Sequence, residues 1–160
     1  MFDSIGTMPL HPLVVHAVVV GAPLAALLGL MFLVPRFRGW ARWPVALVGL
    51  GTFAASLVAK ESGEGLQHAL GISPATPTIG PLFAQHSMLA DQLVIILGGY
   101  AVVAVVNALV VSRRAGVVRA VDRVLPILLA VVGVVVLIWC YRVGDVGSRM
   151  VWNPTGTQKY

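Results

Sequence analysis

Four stretches of the chain are apolar almost without interruption, and polar residues crowd between them. Leu13–Val34 carries no formal charge. At 1.5 Å per residue it covers roughly 33 Å, enough for a hydrocarbon core of about 30 Å. Pro35 ends it. Pro44–Ala59 is shorter, but Trp43 and Lys60 suit its ends as interfacial and snorkelling groups. The third stretch runs from Leu89 to Val111, broken by Asp91, Gln92 and Asn107, and the fourth from Val124 to Tyr141, with Pro126 in its first turn. The pattern predicts an all-α integral membrane four-helix bundle in a single domain, 1–160. Its helices are expected at about 12–34, 42–62, 87–112 and 122–143, with a long polar loop over 63–86 that is rich in proline, glycine, serine and threonine. Residues 1–12 contain no Lys or Arg, so the first stretch reads as a retained helix and not a cleaved signal.

Composition agrees with a lipid-covered protein: 58% of residues are hydrophobic and 11% charged. Soluble domains carry about twice that charged share. The net charge of +5 does not point to nucleic acid, because seven of the eleven basic residues sit in two short connections. Arg36, Arg38 and Arg42 occupy the first, and Arg113, Arg114, Arg119 and Arg123 the third. The positive-inside rule makes both cytoplasmic, which puts the N-terminus, the 63–86 loop and the C-terminus outside a bacterial plasma membrane. Cys140 is the one cysteine, so an internal disulfide or a cysteine-based metal cluster is excluded. Gly21, Ala25 and Gly29 recur every four residues and suit close helix packing, within the bundle or in a homodimer.

On this topology all four histidines fall at the extracytoplasmic end. His11 and His16 start the first helix, Glu61, Glu64 and His68 follow the second, and His86 and Asp91 open the third. Arg142, Asp145 and Arg149 follow the fourth. If the second helix continues past Lys60, then Glu61, Glu64 and His68 share one face. Histidine and carboxylate together suit zinc, iron, manganese or copper, and two histidines on different helices could instead clamp haem b. The expected ligand set is His16, His86, Glu64 and Asp91, with His11 and His68 as extras and with His16 and His86 as the leading pair. Lys60, Glu61, Arg142 and Arg149 are supporting residues, and the cations among them could neutralise haem propionates.

Plainer roles stand beside these. His11 before Pro12 marks a helix start. His16 could be packed against a carbonyl. Asp91 would favour a helix dipole. Glu61 could pair with Lys60, and His68 could be solvated. Arg142 and Arg149 could anchor the interface.

Leu10-His11-Pro12-Leu13-Val14-Val15-His16 resembles the H-P-x-x-V-H opening of the domain-of-unknown-function 2231 family, small bacterial four-helix membrane proteins. Ser62-Gly63-Glu64, His86 with an acidic residue five positions on, and Gly144-Asp145-Val146-Gly147 followed by Val151 are also similar to that family. Here Asp91 stands where relatives often have Glu, and Ala17-Val18 replaces the Phe-Pro that often follows the second histidine. Some relatives are joined to Rieske-type iron–sulfur domains, so the resemblance implies a redox setting.

The leading expectation is a membrane protein that binds a metal ion or haem b in a redox or metal-handling role, with a membrane redox complex as a candidate partner. An accessory or assembly subunit of a larger membrane complex is the alternative, and a small transporter a third. No nucleophile motif, phosphate-binding glycine loop or zinc-protease signature is present, so the chain does not read as an enzyme on its own.

Overall fold

The structure, a computed structural model, describes residues 4–5, 8–112 and 121–158. Four helices make up nearly all of it: α1 (Leu10–Met31), α2 (Pro35–Leu70), α3 (Ile79–Ser112) and α4 (Val121–Trp152). A two-residue antiparallel ladder, Ser4–Ile5 (β1) with Met8–Pro9 (β2), leads into α1. All four helices are long and apolar enough to cross a membrane. Each packs on its neighbours in sequence, and α4 closes the ring against α1. Short connections and cyclic packing are the signature of an up-down-up-down bundle.

The helices overrun the expected bounds. α2 starts at Pro35, where a proline at the first position is preorganised for a helix and lacks only a donor that would be unused there. The loop expected ahead of residue 42 is therefore mostly helix, and Pro44 lies inside it. At its other end α2 runs through Gly63 and Gly65 to Leu70, so the loop expected over 63–86 shrinks to 71–78. Gly71 stops the helix with φ +64°. Its N–H bonds the His68 carbonyl and that of Ile72 the Gln67 carbonyl, the two bonds of a Schellman cap. α4 likewise passes Tyr141 and continues to Trp152. α2, α3 and α4 thus each extend about ten residues, roughly 15 Å, beyond their apolar stretches, and all at the end where α1 begins.

Packing inside the bundle rests on small residues, as expected where lipid offers helices no hydrophobic reason to associate. Ala22, Ala25 and Ala26 of α1 are fully buried. The Gly21/Ala25/Gly29 stripe faces inward: Gly21 lies against Thr52, and Gly29 against Tyr100 and Leu129. Tyr100 sits at the centre of the bundle, walled by Gly29, Gly49 and Gly133 from the other three helices. Its hydroxyl donates to the Ala25 carbonyl.

Buried hydroxyls bond to their own helix. Thr52 donates to the Val48 carbonyl (2.8 Å), Ser56 to that of Phe53 (2.7 Å) and Ser62 to that of Val58 (2.7 Å). Asn107 Nδ2 bonds the Val103 and Leu125 carbonyls, which ties α3 to α4.

Opposite the histidines, Arg38 joins two helix ends. Pro126 has no N–H for the Asp122 carbonyl four residues earlier. Arg38 Nη1 supplies the missing donor at 3.0 Å. Its Nε and Nη2 donate to the Phe32 and Leu33 carbonyls at 2.9 and 3.5 Å, where α1 has run out of its own donors. Arg38→Ala is expected to lower unfolding stability by about 1–3 kcal/mol, since three carbonyls lose a charged donor. Lysine should restore only part of this, lacking the planar fork. Denaturant titration in detergent micelles measures both. Arg113, Arg114 and Arg119 lie outside the described residues.

Candidate functional site

His11 stands in the first turn of α1 and leans onto α2. Its Nδ1 lies 2.8 Å from the Ala59 carbonyl. The ring rests on Gly63, where an added Cβ would come within 3.0 Å of His11 Cε1 and Nδ1. His86 stands in the second turn of α3 and leans onto α4. Its Nδ1 lies 3.2 Å from the Val143 carbonyl. That ring rests on Gly147, where a Cβ would meet Cε1 at 3.1 Å and Nδ1 at 3.3 Å. In both helical hairpins a histidine thus bonds the carbonyl of one residue and covers a glycine four positions later.

A local reason for this arrangement follows from helix geometry. Side chains lean back over the preceding turn, so residue i+4 normally covers the carbonyl of residue i. Glycine at i+4 leaves that carbonyl open to an outside donor. The Ala59 carbonyl also accepts from Ser62 Oγ at 3.1 Å.

A carbonyl can only accept, so each Nδ1 carries a proton. Nε2 of each neutral ring is then a lone-pair donor, and among the described residues neither has a protein partner. α1 and α3 stand diagonally in the ring of helices. His11 and His86, one on each of these helices, lie toward the same end of the bundle. Both are half-buried. Leu10, Leu89 and Val146, each within a turn of a histidine or its glycine, are buried.

The other expected ligands go elsewhere. His16 does not point inward: it is exposed, and its Nδ1 bonds the Pro12 carbonyl of its own helix at 2.6 Å. The position lies just over one turn past His11 but is turned off the α2 contact, so His11 and not His16 faces a neighbouring helix. Glu61, Glu64 and His68 do share a helical stretch, since α2 continues, yet they lie toward its outer surface. Asp91 is not in a first turn, because α3 already begins at Ile79, and a helix-dipole role fails for that reason. Five residues from His86, it is rotated about 140° away around the helix. It faces an open groove of about 510 Å³ lined also by Gln67 of α2, by Pro74 of the α2–α3 connection and by Phe83, Ser87, Met88 and Ile95 of α3.

Salt bridges and ring contacts occupy Lys60, Arg142 and Arg149. Lys60 Nζ bonds Asp91 at 2.9 Å and lies 3.9 Å from Glu64, which joins α2 to α3. Arg149 pairs with Asp145 at 3.7 Å. Arg142 stacks over Trp139 at 5.1 Å, and Trp139 donates to Gln92 Oε1 at 2.9 Å, which joins α4 to α3. Among the described residues no three His, Cys, Asp or Glu side chains gather tightly enough to hold a metal ion by themselves.

Sequence alone ranks His11 below His16 and gives Gly63 no role beside a histidine. The available signal is a glycine within two turns after the apolar stretch of both α2 and α4, in segments that the family resemblance singles out.

No curated protein and no solved structure matches the chain. The family model described as "Predicted membrane protein (DUF2231)" matches residues 7–158, a span that holds all four helices, both histidines and both of their glycines. The chain therefore belongs to the DUF2231 family of membrane proteins.

Proposed function

We propose that the protein carries an imidazole-ligated transition-metal centre, as haem b or as an ion, between His11 and His86 at one end of its bundle. The observation that supports this reading is the matched hydrogen bonding of the two rings. Metal-binding histidines characteristically donate their second N–H to a carbonyl or carboxylate, which fixes the tautomer and makes the other nitrogen a better ligand. Both rings have this partner on a neighbouring helix. Two imidazoles from His11 and His86 could hold a haem iron. An ion would complete its coordination with non-protein ligands. When bound, haem would supply a one-electron carrier, and an ion a centre for metal handling.

The cation distribution supports an extracytoplasmic place for this end. Arg36, Arg38 and Arg42 lie at the opposite end, which the positive-inside rule assigns to the cytoplasm. A redox or metal-handling role at the outer surface of the membrane, beside a membrane redox partner, is the reading that follows.

One purified sample tests it in two arms. A Soret band with stoichiometric iron identifies haem. Stoichiometric zinc, copper, iron or manganese without a Soret band identifies the ion. Absence of both after gentle extraction overturns the reading. The same result, together with a co-purifying membrane complex, would favour an accessory subunit.

A further inference from the structure

We infer that Gly63 and Gly147 are positioning residues, each setting the depth and the tautomer of the histidine seated on it, and that the two helical hairpins present equivalent imidazole clamps. The metal served by these clamps rests on the reading above; the clamps themselves rest on geometry alone.

In each hairpin three parts recur at the same spacing. A histidine comes from the first or second turn of the odd-numbered helix (His11, His86). A carbonyl comes from the partner helix (Ala59, Val143). A glycine lies four residues on (Gly63, Gly147). Neither glycine has a positive φ, so a backbone requirement does not explain it. Space does. An added Cβ at either position lies 3.0–3.3 Å from two ring atoms, tighter than ordinary contact. Its ring would have to lift, and the Nδ1 bond to the carbonyl would lengthen or break. Gly144 and Gly51, on the same two helices, would have nothing within 4 Å of an added methyl group and serve as contrasts.

Because the clamps are alike, each hairpin presents one Nε2 of the same tautomer. On the reading above, the two together would serve a centre with two matched nitrogen ligands. Neither hairpin alone provides more than one of them.

Nitrogen NMR on metal-free protein with isotope-labelled histidine tests this. His16→Gln and His68→Gln in the background leave only His11 and His86 to report. Above the imidazole titration range, both should show the Nδ1–H tautomer. Gly63→Ala should release His11 into a tautomer mixture without moving His86. Gly147→Ala should do the reverse, and Gly144→Ala should change neither. An Nε2–H tautomer at either histidine in the parent protein overturns the inference, and so does a Gly63→Ala protein in which His11 keeps its tautomer. The parent spectrum needs no glycine variant, so it decides the matter even where a variant misfolds. In metal-loaded protein each glycine variant should lose affinity about 10–100-fold, the usual effect of disturbing a ligand's outer hydrogen bond. If the parent protein holds no metal, the proposed function fails while the tautomers still decide the clamp.

Discussion

His86→Ala protein is expected to leave the membrane without bound metal, and His11→Ala protein likewise. Loss of an outer hydrogen-bond partner costs about 10–100-fold in affinity, and loss of a ligand costs more. Occupancy should therefore fall below detection in either variant, as measured by absorbance and elemental analysis of the same sample. His16→Ala should keep full occupancy, because that ring is exposed and bonded to its own helix. Glu64→Gln and Asp91→Asn should also keep it, since these carboxylates are tied to Lys60 and turned away from the pair. If His16→Ala lost the metal and His11→Ala kept it, the assignment would reverse.

Tyr100→Ala should give the largest loss of stability, about 3–5 kcal/mol, the usual range for removing a buried aromatic ring. Three glycines face the ring, and with no side chains they have nothing to move into the space it leaves. Tyr100→Phe removes only the hydroxyl. The Ala25 carbonyl retains its helical partner, so the cost should be about 1 kcal/mol. Equilibrium unfolding in mixed micelles separates the two. A small effect of Tyr100→Ala would mean that the helices close over the cavity, which their glycine-lined contacts make difficult.

The helices themselves were legible because lipid imposes a simple rule: a long apolar run must be a span. Their ends were less so. Gly63 and Gly65 lower helix propensity, and nothing local shows that the surrounding helices hold α2 together to Leu70. Pro35 reads in the sequence as the stop of the first helix, and in the fold it is the start of the second. At the site, both His11 and His16 belong to one motif. Five residues apart on a helix, they point about 140° from each other, so only one can face the bundle. Choosing between them needs the rotation of α1 about its axis. That rotation is set by Ala22, Ala25 and Ala26 packing deep within the bundle, which a count along the sequence does not reveal.

The unequal lengths of the helices bear on the depth of the site. α1 has 22 residues and no surplus beyond a span of roughly 33 Å, whereas the other three overshoot. Hydrophobic mismatch therefore acts on this protein mainly through α1. His11 is its second residue, so the imidazole pair rides at the edge of the hydrocarbon whatever the other helices do. A bilayer one helical turn thicker would draw the pair into acyl chains, and a thinner one would lift it into the headgroups. Lipid thickness is thus a direct handle on how wet the two imidazoles are, without a single residue changed.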